Sequence, residues 1–284
     1  LAQGLVDLER TVYCNGSVVL YGHPFRCWRR GGHGFVNLRR SLAESCDVYY
    51  YTLGQKMGID SMAQWFARFG FGTKTGLDDR FEAAGLVGTP EWSRRVRKTP
   101  WYPGEVVSLS IGQGPLQTTV VQLARSYAIL ANGGYVVTPH LVPNEVPRPA
   151  ARLVNTDHLA VVTEGLVDVV HGDRGTARRL STIPAAGKTG TAQVVRLQEG
   201  VRQEDQPREL RHHALFAGWV PLDNPELAVA VIVEHGGDGG SAAAPVAGRV
   251  FEAFLRQGSD PPAVPMSLDP IRAVSSEAVV TSAG

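Results

Sequence analysis

The run Gly187-Lys188-Thr189-Gly190-Thr191 holds the residue types best suited to chemistry in this sequence. An ammonium beside a hydroxyl binds anions, and neighbouring glycines let a ligand approach the backbone. A phosphate-binding loop would need a glycine five residues before Gly187, but that position is Thr182, and Pro184 interrupts the segment. The residues that follow, 192–195, favour extended backbone rather than the helix that such a loop enters. The pattern therefore argues against nucleotide binding.

The same run matches the Lys-Thr-Gly strand of serine acyl-transferases that react with penicillin. In that chemistry Lys188 and Thr189 hold a substrate carboxylate, and Gly190 lets the substrate lie against the strand. The backbone N–H of Thr191 would donate to the oxyanion that forms during acyl transfer. A second copy, Lys74-Thr75-Gly76, follows two glycines and has no apolar strand behind it, so we interpret it as a turn.

Ser45-Cys46-Asp47 is the counterpart of a second element of this class, a Ser-x-Asn turn between helices. Its serine relays protons to and from the reacting groups. Asp47 stands where the general pattern has Asn. An ionised carboxylate only accepts hydrogen bonds, and beside a lysine it favours the charged ammonium. The sequence predicts that Ser45 and Lys188 face each other across one cleft.

The three cysteines fall in a short region, and His33 lies between the last two of them. The four residues are Cys14, Cys27, His33 and Cys46. Three thiolates and an imidazole are suitable donors for a tetrahedral Zn²⁺ site, although the spacing lacks the close Cys-x-x-Cys pairs of zinc fingers. A Cys14–Cys27 disulfide, or free buried thiols, is the alternative. A disulfide would leave Cys46 unpaired.

Hydrophobic periodicity indicates the elements that position these residues. The pattern from Phe35 to Lys56 is helical and ends at Gly58, and residues 80–103 and 198–211 are predicted to be loops. Further helices are predicted over 60–69, 120–131, 156–169 and 241–255, and strands over 193–197, 213–220 and 227–234. This order predicts an α+β fold in which an antiparallel sheet is flanked by helices and joined to a mainly helical subdomain.

The composition of the 284 residues is that of a globular protein, with 43% hydrophobic and 19% charged residues. Lys+Arg 28 against Asp+Glu 27 leaves no basic excess, which argues against nucleic acid as a partner. No stretch reaches the ~18 apolar residues of a membrane-spanning helix. We expect one domain over residues 1–258 and a disordered tail over 259–284, which is rich in Pro, Ser and Ala.

Five segments occur in an order that resembles the transpeptidase domain of class B penicillin-binding proteins, in particular the elongation type called penicillin-binding protein 2. They are Gly31-Gly32-His33-Gly34, Ser45-Cys46-Asp47-Val48-Tyr49-Tyr50, Trp101-Tyr102-Pro103-Gly104-Glu105, Ile111-Gly112-Gln113-Gly114 and Gly187-Lys188-Thr189-Gly190-Thr191-Ala192-Gln193. The resemblance extends to about Leu255. It implies the fold shared by penicillin-binding transpeptidases and serine β-lactamases.

The resemblance implies a role for each matching residue. The catalytic set would be Ser45, Asp47 and Lys188. The substrate-binding set would be Thr189, Gly190, Thr191, Gly112, Gln113 and Gly114, the last three lining the floor of the cleft. The resemblance also favours structural zinc over a disulfide, with Cys46 tying the Ser45 turn to the preceding loops.

The family's nucleophile belongs to a Ser-x-x-Lys turn, in which the lysine activates the serine. The lysines of this chain are Lys56, Lys74, Lys98 and Lys188, and the residues three positions earlier are Leu53, Phe71, Arg95 and Ala185. We therefore expect a chain truncated after that motif, which cannot form an acyl-enzyme alone.

The implied function is that of a peptidoglycan D,D-transpeptidase, which cross-links stem peptides through an acyl-serine intermediate and binds β-lactams. The implied partner is the membrane glycosyltransferase of the elongation machinery. The implied location is the periplasmic face of the bacterial inner membrane, with an N-terminal anchor helix outside the chain. The alternatives are a non-catalytic penicillin-binding-like scaffold or sensor, and a serine β-lactamase or carboxypeptidase of the same fold.

Overall fold

The computed structural model describes residues 1–78, 80–142, 151–195 and 205–257. The strands are β1 (Val12–Cys14), β2 (Ser17–Leu20), β3 (His23–Arg26), β4 (Gly34–Val36), β5 (Leu86–Val87), β6 (Leu116–Gln117), β7 (Ala186–Ala192), β8 (His213–Val220) and β9 (Leu227–Val233). The helices are α1 (Leu38–Ala43), α2 (Asp47–Met57), α3 (Ile59–Arg68), α4 (Pro90–Trp92), α5 (Gly104–Leu109), α6 (Val120–Ala131), α7 (Thr156–His171) and α8 (Ala244–Gln257).

The main sheet is antiparallel, with strand order β7-β8-β9. Helices cover both of its faces, because Phe216 of β8 contacts Phe251 of α8 while Trp219 of β8 contacts Tyr127 of α6. Side chains alternate between the two faces of a strand, so β8 is buried almost throughout. β7 is an edge strand of this sheet, which leaves the backbone of the Lys-Thr-Gly run open on one side.

A second hydrophobic core lies in the first half of the chain, where α1, α2 and α5 pack with the short strands. Its largest fully buried side chain is Tyr49, and Val36, Val48 and Val107 surround the same interior. The sheet and its covering helices have a separate core that contains Phe216 and Phe251. The predicted α+β class, with helices around an antiparallel sheet and a mainly helical part, is confirmed.

Several predicted elements are confirmed closely. α6 ends before Asn132-Gly133-Gly134, and both glycines have positive φ, as a left-handed terminator requires. Asn155 caps α7 by accepting from the N–H of Asp157 at 2.7 Å. β8 has its predicted bounds, and β9 ends one residue early. Lys74-Thr75-Gly76 lies outside any helix or strand, as predicted.

Three predictions about elements were wrong. The single helix over 35–56 is divided into α1 and α2 by a turn at Glu44-Ser45-Cys46. The first strand of the sheet is β7 rather than a strand that begins at residue 193, because the small residues of the Gly187–Ala192 run pair directly with β8. Residues 193–195 lie outside any strand, and 196–197 lie outside the described residues. Residues 80–103 contain β5 and α4, since Thr89 caps a helix that has proline in its first turn. The predicted tail 259–284 and loop residues 198–204 lie outside the described residues.

Candidate active site

The turn between α1 and α2 presents Ser45 in a left-handed conformation, with φ of 53°. Such a φ is uncommon for a residue with a Cβ and persists where surrounding contacts hold it. Trp28 supplies two of these contacts, because its indole N–H donates to the carbonyl of Glu44 at 3.1 Å and to that of Ser45 at 2.9 Å. These hydrogen bonds hold the backbone of the turn and thereby set the position of the Ser45 side chain.

The carboxylate of Glu44 holds the same turn from the protein interior. Glu44 is 3% exposed, and a buried charge is stable only when it is paired. Arg40 donates to Oε1 at 2.7 Å and Arg29 to Oε2 at 3.4 Å, while Arg174 lies 3.8 Å from Oε1. Arg174 belongs to the connection between α7 and β7, so this cluster ties the Ser45 turn to a distant part of the chain.

Lys188 brings the edge of β7 to the Ser45 turn. Its Nζ lies 2.9 Å from Ser45 Oγ and 3.1 Å from the carbonyl oxygen of Thr189. The two residues are 143 positions apart in sequence. The predicted approach of Ser45 to Lys188 is confirmed, and their roles in catalysis stay predictions.

Burial lowers the pKa of Lys188 to about 8, and the carboxylates of Asp47 and Asp238 oppose that change. Burial raises the pKa of Asp47 to about 7, a nearby Cys27 thiolate adds to the rise, and the backbone N–H of Trp28 and the charge of Lys188 counteract it. Asp47 Oδ2 accepts from that N–H at 2.8 Å. Asp47 therefore favours the charged ammonium, as its position in the sequence suggests, but desolvation outweighs it.

Thr189 and Gly190 occupy the middle of β7. Thr189 Oγ1 lies 2.7 Å from Thr176 Oγ1, a contact between β7 and the connection that precedes it. Gly190 has restricted space on one face, where an added Cβ would lie 3.3 Å from Leu215 Cβ. Their predicted contacts with substrate stay predictions.

Gln113 links the glycine-rich loop to the end of β7. Its Nε2 donates to the carbonyl of Thr191 at 2.7 Å, and its Oε1 accepts from the N–H of Gln193 at 3.3 Å. Gly112 and Gly114 flank it, and both have positive φ. The N–H and C=O of one strand residue point to the same side, so the Thr191 N–H also faces this open edge. The role of that N–H as an oxyanion donor stays a prediction.

The predicted cysteine and histidine cluster is assembled. The ligand atoms of Cys14, Cys27, His33 and Cys46 all lie within 4.8 Å of one another, and all four residues are buried. His33 Nδ1 is 3.6 Å from the sulfur of Cys14 and 3.5 Å from that of Cys27. The cysteines are free, so the alternative of a Cys14–Cys27 disulfide is not what the structure contains.

The two distances from His33 Nδ1 match those between donors of a tetrahedral Zn²⁺ site. A Zn–S bond of about 2.3 Å and a Zn–N bond of about 2.0 Å at the tetrahedral angle place sulfur and nitrogen about 3.5 Å apart. The Cys46 thiol donates to Cys27, which lowers the pKa of Cys27 to about 4 and raises that of Cys46. Thiolate is the form that binds metal. The cluster can therefore hold a metal ion directly behind the Ser45 turn.

Sequence reasoning missed Trp28, Glu44 and Thr176. Each acts through contacts formed only in the folded chain, namely two backbone carbonyls, three arginines and a threonine hydroxyl. One signal was present: Trp28 directly follows Cys27, a candidate metal ligand, so a residue that orients the site could be sought there.

The model of the penicillin binding protein transpeptidase domain matches residues 1–252. The chain belongs to this family. Within it, the chain is similar to penicillin-binding protein 2: the Pseudomonas aeruginosa protein, solved in complex with WCK 5153, is 41% identical with a TM-score of 0.79. That match covers 89% of this chain and 57% of the solved one.

Two further relatives are similar to this chain. The peptidoglycan D,D-transpeptidase MrdA of Acinetobacter baumannii is 41% identical over 270 residues, which are 90% of this chain and 40% of that protein. Penicillin-binding protein 2 of Helicobacter pylori, solved in complex with MreC, is 28% identical with a TM-score of 0.79 over 89% of this chain and 46% of that one. The chain thus spans about two fifths of the length of the curated relative.

Proposed function

We propose that this chain is the acyl-transfer domain of a peptidoglycan D,D-transpeptidase, which cross-links stem peptides through an acyl-serine and is acylated by β-lactams. The observation that carries the proposal is the 2.9 Å contact between Lys188 Nζ and Ser45 Oγ. It couples a hydroxyl to a titratable ammonium on the open edge of a strand, which is the arrangement that proton relay during acyl transfer needs.

Each group at the site has the role that its chemistry allows. Lys188 and Thr189 bind the terminal carboxylate of a stem peptide, or that of a β-lactam, by a charge-assisted hydrogen bond. The Thr191 N–H stabilises the oxyanion, and its carbonyl is held by Gln113. Ser45 passes protons between Lys188 and the reacting groups, with Asp47 adjusting the charge of the lysine. Gly112 and Gly114 shape the floor.

The nucleophile must come from a Ser-x-x-Lys turn, and no lysine of this chain has a serine three residues before it. We expect labelled penicillin to leave the 284-residue chain unmodified and to label a single serine in a protein expressed with the codons upstream of Leu1. Labelling of the chain alone, at Ser45 or any other serine, would contradict this assignment. An upstream-extended protein that stays unlabelled would favour a non-catalytic scaffold or sensor.

Zinc is the metal that best fits the cluster of Cys14, Cys27, His33 and Cys46. Thiolate and imidazole donors in a closed tetrahedral set are typical of structural zinc. Zinc bound there would cross-link β1, the end of β3, the loop before β4 and the start of α2, which fixes the Ser45 turn from behind. The ion would have a structural role.

Metal analysis of the purified chain tests this site. We expect close to one zinc per chain, and Cys46→Ser to reduce the zinc content and the melting temperature. At a free zinc concentration 100 times the Kd, binding stabilises the folded chain by about 2.7 kcal/mol, and chelation removes this stabilisation. Protein purified without chelators and free of zinc would contradict the proposal.

The partners and location follow from the relatives and remain part of this proposal. The Helicobacter pylori relative was solved with MreC, which favours a role in an elongation complex together with a membrane glycosyltransferase. None of the helices that the structure describes is long and apolar enough to cross a bilayer. We propose a domain at the periplasmic face of the inner membrane.

A further inference from the structure

We propose that Thr176 is a positioning residue for carboxylate recognition, which orients the hydroxyl of Thr189 toward the substrate. This inference rests on the function proposed above, in which Thr189 binds a carboxylate. Thr176 lies in the connection between α7 and β7, ten residues before the strand begins. Its Oγ1 is 2.7 Å from Thr189 Oγ1, a full-strength hydrogen bond between two hydroxyls.

The backbone of Thr176 is fixed independently of this hydrogen bond. Its N–H donates to the carbonyl of Ala43 at 3.2 Å, at the end of α1 and two residues before Ser45. The next residue, Ala177, is fully buried and donates to Val169 of α7 at 2.9 Å. Gly240 packs so closely on Thr176 that an added Cβ would lie 2.3 Å from its carbonyl oxygen. Thr176 thus contacts both walls of the cleft from a rigid position.

Thr176 orients Thr189 through the direction of the hydrogen bond between their hydroxyls. A hydroxyl donates one hydrogen bond and accepts up to two, so in a pair of hydroxyls one donates to the other, and the second can donate its own proton to another group. When a carboxylate lies beside Thr189, the favourable order is Thr176 donating to Thr189 and Thr189 donating to the anion. Such a chain polarises each bond and strengthens the last one. The reverse order would direct the Thr189 proton away from the substrate.

The test compares two β-lactam substrates in the protein expressed with its upstream codons. One is a labelled penicillin with its free carboxylate, and the other is the methyl ester of the same penicillin, which lacks the anion. We expect Thr176→Val to slow acylation by the acid about fivefold and by the ester less than twofold. Thr176→Ser, which retains the hydroxyl, should restore the ratio between the two substrates.

Controls separate positioning from stability. Thr182→Val, at an exposed threonine in the same connection, should leave both rates unchanged. If Thr176→Val does not fold, Thr176→Ala removes the same hydroxyl without added bulk and is scored by the same ratio. In a double-mutant cycle, Thr176→Val should add little to Thr189→Val, because the group that it orients is already gone.

Three results would overturn the inference. The first is an equal slowing of acid and ester by Thr176→Val, which indicates a general structural role. The second is an unchanged acid-to-ester ratio in every Thr176 variant. The third is full additivity of Thr176→Val and Thr189→Val. Complete absence of acylation in the unsubstituted protein would instead refute the proposed function, and this inference with it.

Discussion

The partly buried ammonium of Lys188 predicts a specific dependence of stability on pH. Its pKa is about 8 in the folded chain against an ordinary value of 10.5. Between these values the unfolded chain holds a proton that the folded chain has lost, so unfolding takes up a proton and stability rises with pH. The penalty for burying the charge is fully present below pH 8 and disappears above pH 10.5. A shift of this size corresponds to about 3 kcal/mol.

Lys188→Met removes the titrating group and therefore isolates its contribution. We expect the stability of the unsubstituted chain, relative to that of Lys188→Met, to rise by about 2 kcal/mol between pH 8 and pH 10. Starting at pH 8 keeps Asp47, with a pKa of about 7, largely ionised in the unsubstituted chain. Other groups, including buried tyrosines with raised pKa values, cancel in the difference.

Urea unfolding monitored by tryptophan fluorescence, at several pH values from 8 to 10, measures this difference. Lys56→Met, at an exposed lysine on α2, controls for the exchange of lysine for methionine. The reasoning is refuted if the stability difference between the unsubstituted chain and Lys188→Met stays constant over that range, or if it falls as pH rises. Either result would mean that solvent reaches the ammonium and that Lys188 is not poised to exchange protons with Ser45.

Two other substitutions test the groups that hold the site. Gln113→Leu removes both hydrogen bonds to the end of β7. At about 1 kcal/mol each, their loss should slow penicillin acylation of the upstream-extended protein by up to about thirtyfold. Gln64→Leu, at an exposed position of α3, should leave that rate unchanged. Glu44→Gln should lower the free energy of unfolding, measured by urea titration, by about 1–2 kcal/mol. The loss is moderate because the arginine partners of Glu44 are partly solvated. Glu91→Gln, in an exposed ion pair, should lower it by less than about 0.5 kcal/mol. Unchanged acylation in Gln113→Leu, or equal losses in the two glutamate variants, would contradict these roles.

The sequence predicts the chemical groups of the site, whereas its hydrophobic periodicity does not predict the turn that carries Ser45. Residue types and the order of segments placed Ser45 near Lys188 and grouped the cysteines with His33. Hydrophobic periodicity does not show the break between α1 and α2, because Leu42, Cys46 and Tyr49 continue the helical spacing across it. Only the match of Ser45-Cys46-Asp47 to a Ser-x-Asn turn between helices indicates it. Tertiary contacts, rather than a local sequence signal, end α1.

The tertiary contacts that set this break come from remote parts of the chain. Glu44 pairs with Arg174, 130 positions later, and the Trp28 indole occupies the two carbonyls of the turn. No local pattern encodes either contact. Thr176 was missed for the same reason, since a threonine in a connecting segment has no distinguishing spacing and its role depends on the 2.7 Å approach of β7.

The elements that carry Ser45 and Lys188 belong to different hydrophobic clusters. α1 and α2, which flank Ser45, contribute to the first core, whereas β7, which carries Lys188, contributes Ala186 to a third cluster with Leu166 of α7 and Trp219 of β8. α1 packs on α7 between them, with Arg39 bonded to Asp168 and to Glu164. Gly165 allows this close approach, because an added Cβ would lie 2.5 Å from Leu42 Cδ1. Since packed interiors transmit small displacements rather than absorbing them, a displacement of α1 against α7 would also move the Ser45 turn that follows α1.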